Sequence, residues 1–436
     1  MPRRLGPAFL ALAVTLSLLA GCGGGTSSAP EAGSTTTSPT ASAGKSSGGK
    51  FEATPHDFRA VARVLERRAK AVRAHDLGAF MATVDRSNPA LVGQQRALYS
   101  NLSQLSLASL RYEMDNSAAL VPARIRGHDP VLHPQITEFL QLSGSLGKPV
   151  TNSVNETFVR RGDRWLVGAE PANGTSGTGV QWRPWAGTPI AVRRSDAMTV
   201  IVDRSRASTL PSLTQAVHDD IAFDASQLGV PASYQVVVDA TSSGGATKFS
   251  SLSKEEAAAV TFGLVAGTRD MPDTGGRLAG LAIKVNPHDA ARLTESTPIL
   301  RHELTHYLLR RYNGSSPKWL TEGIATWIQY YPDTFSALAV SPALYSKLDH
   351  AERTLPSIGL FDDAPDVNYI VSQAAVAWLV SHYGMPRLIA LMRAYRDNFH
   401  DVNSDAITGR MLRQVYGVTQ QQVVAGAFGL IGELHH

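Results

Sequence analysis

The segment His302-Glu303-Leu304-Thr305-His306 constrains this chain of 436 residues more than any other feature. Two histidines four residues apart lie on one face of an α-helix, so both imidazoles can reach a single metal ion. Glu303 is rotated by about 100° around the same helix, where its carboxylate can reach a metal-bound water rather than the metal. The pattern alone is weak evidence, because an amphipathic helix with two solvated histidines would look the same.

The sequence around the histidines predicts two consecutive helices. Thr297 suits the N-cap of the first helix and Pro298 its first position, while Asn313-Gly314 is a stop signal. The second helix is predicted to begin at Ser316-Pro317 and to end before Pro332. The connection between the two is short, so the second helix can fold back against the first.

Glu322 falls on the second turn of that second helix and completes a candidate metal site. Imidazole nitrogen and carboxylate oxygen are ligands that zinc accepts, and three protein ligands leave one position for water. We therefore predict one zinc ion on His302, His306 and Glu322, with Glu303 as a nearby general base for hydrolysis. A separate, capped helix with an acidic residue at a usable distance makes this prediction much stronger than the histidine pair alone.

The helix pair also carries a family resemblance. His302 to His306, together with Trp319-Leu320-Thr321-Glu322-Gly323-Ile324-Ala325, resembles the gluzincin metallopeptidases, in particular the peptidase MA-like group of bacterial envelope proteins. The similarity covers about residues 190 to 430, and it implies zinc on the two histidines and Glu322 with Glu303 as the base. This chain departs from the group by one residue, since Lys318 stands between the proline and the tryptophan.

Two further roles follow from the resemblance. Asn368-Tyr369-Ile370-Val371-Ser372-Gln373 occupies the place of a tyrosine-containing block of the family, which makes Tyr369 a candidate donor to the tetrahedral oxyanion. A packed tyrosine at the start of a helix is the plainer interpretation. In the family, the strand nearest the metal pairs with extended substrate backbone, and Ala279 to Val285 is the candidate here. The alternative for that strand is an interior position in the sheet.

The N-terminus predicts a bacterial lipoprotein. Two arginines precede an apolar run from about Leu5 to Ala20, and Leu19-Ala20-Gly21-Cys22 resembles the lipoprotein cleavage box. We expect residues 1–21 to be a signal peptide and Cys22 to carry the lipid, although a secretory signal with an incidental cysteine would share the pattern. Cys22 is the only cysteine, so no disulfide can form within a monomer. Several acyl chains would hold the protein on the extracytoplasmic face of the cell membrane.

The remaining chain predicts an α+β fold in two parts. Residues 22–50 are small and polar and predict a flexible tether. Residues 51–175 show helical spacing of apolar residues first, then strands that end in a hairpin at Arg161-Gly162-Asp163-Arg164. This order is similar to the cone of nuclear-transport-factor-2-like domains. A glycine-rich stretch from Asn173 to Gly179 predicts the domain boundary.

The resemblance implies a zincin-type metallopeptidase domain at residues 190–436, with a sheet and the active-site helix first and a mainly helical part after them. The predicted strands are Met198 to Val202, Tyr234 to Val238 and Leu281 to Asn286, and a helix from about Pro211 to Gln227 lies between the first two. The later helices are predicted at Tyr369 to Tyr383, Pro386 to Asn398 and Ser404 to Tyr416.

The charge balance excludes one class of partner and leaves three functions open. Lys plus Arg number 41 against 37 Asp plus Glu, a net charge of +4, so no nucleic-acid partner is expected. The favoured function is a membrane-anchored zinc metallopeptidase that cleaves a peptide or protein through zinc-bound water. A cell-wall amide could be the substrate instead. The third possible function is ligand binding by a lipoprotein whose zinc site is structural or inactive. Three ligands disfavour a structural site, because structural zinc normally has four.

Overall fold

The computed structural model describes residues 53–114, 124–126, 129–169, 182–242, 259–266, 277–287, 298–332, 342–357, 360–361, 364–398 and 404–433. The helices of this part are α1 (Pro55–Arg73), α2 (Leu77–Met81), α3 (Pro89–Leu102), α4 (Leu210–Leu228), α5 (Pro298–Leu308), α6 (Arg310–Asn313), α7 (Lys318–Tyr330), α8 (Pro342–Asp349), α9 (Pro365–Tyr383), α10 (Met385–Asp397), α11 (Asp405–Tyr416) and α12 (Gln420–Glu433).

The strands of the same part are β1 (Leu107–Met114), β2 (Arg124–Arg126), β3 (Asp129–Leu132), β4 (Gln135–Leu142), β5 (Val150–Asn155), β6 (Thr157–Arg161), β7 (Arg164–Ala169), β8 (Ile190–Ser195), β9 (Met198–Asp203), β10 (Val237–Ala240), β11 (Ala259–Ala266) and β12 (Arg277–Val285). The mixed α+β class is therefore confirmed. The predicted signal peptide, Cys22, the tether, the glycine-rich stretch and Thr297 lie outside the described residues.

The first part of the chain places helices before antiparallel strands, in the predicted order. α1 begins at Pro55 because Thr54 caps it: the Thr54 hydroxyl accepts from the backbone N–H of Asp57, and Asp57 Oδ2 accepts from the backbone N–H of Thr54 at 2.9 Å. The strands form two antiparallel sheets, ordered β1-β4-β5 and β2-β3-β6-β7. The predicted hairpin joins β6 to β7, and Gly162 supplies the positive φ of its turn (60°).

The second part is built on a five-stranded sheet with the order β11-β12-β10-β9-β8. β10 runs parallel to β9 and β12, whereas β8 and β11 are antiparallel to their neighbours at the two edges. All six residues of β9 are buried, as expected for a strand that is covered on both faces. β10 begins at Val237, later than the predicted Tyr234, and β12 begins earlier than predicted.

Alternate residues of this sheet join two different cores. Val200 and Val238 pack with α4, α5 and the C-terminal helices, whereas Ile201, Val237 and Ala282 pack with residues of the first part of the chain. Successive side chains of a strand point to opposite faces, so the first part covers one face of the sheet and the helices cover the other. The sheet is therefore the middle layer of three.

Polar contacts also join the two parts. Arg183 forms a buried two-point ion pair with Glu138 of β4, with N–O distances of 3.1 and 3.2 Å. The neighbouring Trp182 donates from Nε1 to Asp239 Oδ2 at 3.0 Å, at the end of β10. Lys284 of β12 donates to the other oxygen of the same carboxylate at 3.0 Å. Trp182 and Arg183, which precede β8, thus form polar contacts with both the first part of the chain and the five-stranded sheet.

The C-terminal part is mainly helical, as predicted, with α7 and α9 in close contact. Among the described residues, no helix combines the length and the apolar character that a membrane crossing requires.

Candidate metal centre

Two helices bring the three predicted ligands together in a buried site. The Nε2 atoms of His302 and His306 lie 3.2 Å apart on one face of α5. Glu322 Oε2 of α7 lies 3.3 Å from His302 Nε2 and 3.4 Å from His306 Nε2. The side chains of the three residues are 8, 3 and 0 % exposed, respectively. This arrangement could hold a metal ion, since one donor atom from each residue falls within 4.8 Å of the others.

The chemistry of these donors fits a cation. Both carboxylate oxygens of Glu322 are buried, and no well-directed hydrogen bond reaches them from the part of the protein that the structure describes. Burial by itself would raise the pKa of Glu322, but the charge of His306 and the contacts with both imidazoles hold this pKa well below its ordinary value. The carboxyl group is therefore an anion that needs positive charge beside it.

His306 likewise favours a positive charge in this site. Burial would lower the pKa of His306, but the charge of Glu322, with a smaller contribution from Glu303, raises it above its ordinary value. Positive charge is thus stabilised at the point where the three donor atoms meet. A divalent ion can supply that charge in place of the proton, because metal ions and protons compete for the same imidazole nitrogen.

Gln329 holds the ring of His302 in the orientation that a metal needs. Nδ1 of His302 lies 3.1 Å from Oε1 of Gln329, so the Nδ1–H can donate to this amide oxygen. The proton then sits on Nδ1, and the lone pair of Nε2 points towards Glu322. The sequence reasoning missed Gln329. Its position two helical turns beyond Glu322, on the same face of α7, is the signal that could have found it.

Glu303 is buried on α5, one residue beyond the first histidine. Its charge contributes to the raised pKa of His306, so the carboxylate lies near the ligand cluster without belonging to it. The backbone carbonyl of Glu303 accepts a hydrogen bond from the hydroxyl of Thr261 on β11 at 3.0 Å. This contact fixes the middle of α5 against the edge of the sheet.

Tyr369 lies beside the histidines, on the second turn of α9 rather than at its start. The centroid of its buried ring is 6.2 Å from that of His302 and 5.2 Å from that of Phe361. Tyr369 is therefore both a packed residue and a neighbour of the candidate site.

Gly323 explains how α9 comes so close to the ligands. A Cβ at this position would lie 2.5 Å from the backbone oxygen of Ser372 on α9, so only glycine permits the observed approach of the two helices. Because Gly323 follows Glu322 directly, this close contact also determines how deeply the Glu322 side chain is buried.

The end of α5 differs from its prediction. The helix begins at Pro298 as predicted but ends at Leu308, and the stop signal at Asn313-Gly314 ends the short α6 instead. Asn313 still stabilises the end of α5, because its Nδ2 donates to the backbone oxygen of His306 at 2.8 Å. α7 begins at Lys318 after Pro317, and Pro317 provides no side-chain cap.

A buried acidic pair supports α5 from a face next to that of the histidines, one residue before each of them. Asp220 of α4 accepts from Arg301 at 3.0 Å, and Asp224 Oδ2 lies 3.4 Å from the hydroxyl of Thr305. Burial, together with the negative charge of Asp220, raises the pKa of Asp224 to about 9, against an opposing effect of Arg301 and Thr305. The Asp224 carboxyl group is therefore protonated at neutral pH, and it accepts the hydrogen bond of the Thr305 hydroxyl.

The candidate substrate strand has the interior position. Ala282, Ile283 and Lys284 pair with β10 on one side and with β11 on the other, and the carbonyl of Ala279 accepts from the backbone N–H of Gly147 at 3.0 Å. The backbone of Ala279 to Val285 is thus engaged within the fold and not available for a peptide. β11 has the edge position beside α5.

Comparisons with protein-family models, with curated proteins and with solved structures gave no match for this chain.

Proposed function

We propose that this protein is a zinc metallopeptidase of the gluzincin type. The observation that carries the proposal is the convergence of His302 Nε2, His306 Nε2 and Glu322 Oε2 at one buried point. Two nitrogen donors and one anionic oxygen suit zinc, and three protein ligands are typical of catalytic rather than structural zinc sites. Within the described residues, the group of possible ligands at this point has these three members.

Each residue of the site has a distinct task in this proposal. His302 and His306 would hold zinc through Nε2, and the Glu322 carboxylate would neutralise part of its charge. When bound, zinc supplies Lewis acidity towards the scissile carbonyl and acidifies water. Glu303 takes a proton from the attacking water as the C–O bond forms, and then returns it to the leaving amine as the C–N bond breaks.

Two neighbours complete the proposed site. Tyr369 donates a hydrogen bond to the oxyanion, a contact worth about 3 kcal/mol in comparable enzymes. The edge strand β11 aligns an extended peptide by backbone pairing, in place of the interior strand β12.

The proposed place of action is the cell envelope. The signal peptide of residues 1–21 would direct export and be removed, and the lipid on Cys22 would anchor the protein on the extracytoplasmic face of the membrane. Residues 22–50 would then let the enzyme reach peptide or protein substrates near the bilayer.

Zinc analysis and peptidase assays of the purified full-length chain test this function. We expect about one zinc per chain in the wild type, little in Glu322→Gln, and full zinc without hydrolysis in Glu303→Gln. Glu352→Gln, which changes an exposed carboxylate, is the matched control and should alter neither result. Undiminished casein cleavage by Glu303→Gln would exclude the proposed base, and cleavage of peptidoglycan fragments alone would indicate a cell-wall amidase.

A further inference from the structure

A cleft of about 660 Å³ opens between α1, α2 and the hairpin of β6 and β7, in the first part of the chain. Its size lies within the range of small-molecule binding sites, about 300–1,000 Å³. Val64, Ala71 and Trp165 are buried residues of its lining and give it an apolar floor. Ala74 and Ala79 are exposed at its sides, where their small side chains leave it open to solvent.

Four cationic side chains converge on this cleft. Arg63, Arg67 and Lys70 follow one another at spacings of four and three residues, so they share one exposed face of α1. Arg164 approaches from the hairpin, and its Nη2 donates to the backbone oxygen of Ala82 at 3.3 Å. This contact orients the guanidinium group and leaves it further N–H donors for a ligand.

The cations of α1 are not neutralised by the residues around them. Like charges at these helical spacings repel each other. Within the described residues, the side chains of the three α1 cations form no ion pair and no hydrogen bond, although Glu66 stands on a neighbouring face of the helix. The lining contains two carboxylates, Asp76 and Asp163, and Asp76 Oδ1 already accepts from the backbone N–H of Ala79 at 2.8 Å. Four cations against two carboxylates leave the lining a net charge of +2.

We propose that this cleft is a binding site for a phosphate monoester. Such a group carries a charge of about −1.5 to −2 at pH 7, which matches the net charge of the lining, whereas a carboxylate carries half as much. Its three terminal oxygens can accept hydrogen bonds from several guanidinium and ammonium groups at once. The apolar floor at Val64 and Trp165 packs against the organic group that bears the phosphate.

The phosphate monoester has two possible sources, a soluble phosphorylated compound and the headgroup of a phosphatidic acid. Calorimetry with the purified full-length protein tests the site, with inorganic phosphate, phenyl phosphate and soluble dihexanoyl phosphatidic acid as probes. We expect phenyl phosphate to bind about tenfold tighter than inorganic phosphate, because its ring covers the apolar floor. Tighter binding of the phosphatidic acid than of phenyl phosphate identifies a lipid as the source, and the reverse order identifies a soluble compound.

Three variants locate the binding. Arg67→Gln removes the central cation and should weaken binding of phenyl phosphate about tenfold. Arg96→Gln causes the same change in net charge at an exposed position of α3 outside the cleft, and should bind as the wild type does. Ala74→Phe fills the cleft without a change in charge and should also weaken binding about tenfold. An unchanged Tm shows that each variant is folded.

Several results would overturn the inference. These are no binding of either phosphate monoester, equal weakening by Arg67→Gln and Arg96→Gln, and undiminished binding by Ala74→Phe. Tighter binding of a glutamate-rich peptide than of phenyl phosphate would also overturn it, and would assign the cleft to carboxylates. The measurement needs neither zinc nor hydrolysis, so its outcome is independent of the proposed peptidase function.

Discussion

Nδ1 of His302 lies 3.1 Å from Oε1 of Gln329, and this contact determines which nitrogen of the imidazole faces Glu322. A metal-binding histidine normally donates its other ring N–H to such a partner, and loss of the partner typically weakens metal binding 10- to 100-fold. We therefore expect Gln329→Leu to weaken zinc binding by about that factor. Gln329→Glu should restore it, because a carboxylate accepts the same hydrogen bond. Competition with a chromophoric chelator measures both, and equal affinity of the leucine variant would contradict the role of Gln329.

Removal of zinc should destabilise the folded protein. A ligand that binds only the native state stabilises it by about 4 kcal/mol at a thousand times its Kd. We expect a strong chelator to lower the Tm of the wild type and to leave the Tm of Glu322→Gln almost unchanged, since that variant lacks the anionic ligand. Calorimetry with and without added zinc checks this difference. An identical fall in both proteins would mean that the chelator acts elsewhere.

Replacement of Gly323 should disturb the contact between α7 and α9. In Gly323→Ala the new methyl group would meet the backbone oxygen of Ser372 at 2.5 Å, and overpacking of this kind costs about 1–3 kcal/mol. Gly429→Ala is the matched control, because a Cβ there meets open space on a helix and should stabilise the protein by about 0.5–1 kcal/mol. Urea unfolding of the two variants should therefore give shifts of opposite sign.

Asp224 should make the stability of the protein depend on pH. Its pKa is about 9 in the folded chain, against 3.8 for an ordinary aspartate, so between these values the native state holds a proton that the unfolded state has lost. The contribution of this group to stability is complete below the ordinary pKa, declines by up to about 1.4 kcal/mol per pH unit, and levels off above the folded pKa.

Asp224→Asn removes this dependence while it keeps an oxygen for the Thr305 hydroxyl. The variant should gain stability relative to the wild type as the pH rises from about 5 to about 8.5. Urea midpoints at several pH values measure the difference between the two proteins. Parallel pH profiles would show that Asp224 is ionised in the folded chain.

The sequence alone was sufficient to bring the three candidate ligands together, because the signals that place them are local. Helical spacing puts His302 and His306 on one face, and Pro298 and Pro317 mark where their helices begin. Helix α3 was missed although it has the same kind of signal: Asn88 Oδ1 accepts from the backbone N–H of Ala90.

Strand order could not be predicted in the same way. An apolar run such as Leu281 to Asn286 predicts a buried strand, but its neighbours come from distant parts of the chain. Whether a strand lies at an edge or in the interior depends on those neighbours, and β12 has the interior position between β10 and β11. Gln329 was not assigned a role for a related reason. Its significance depends on the orientation of the His302 ring, which sequence spacing does not report.

The alternation of side chains along β9 and β10 bears on how this protein can be divided. Ile201 and Val237 face the first part of the chain, while Val200 and Val238 face the helices that carry the candidate metal ligands. A fragment cut in the glycine-rich stretch would keep every ligand yet present a bare aliphatic sheet to water, and such a surface promotes aggregation. The first part of the chain thus shields this face of the sheet from water, and we expect the second part to aggregate when it is expressed alone.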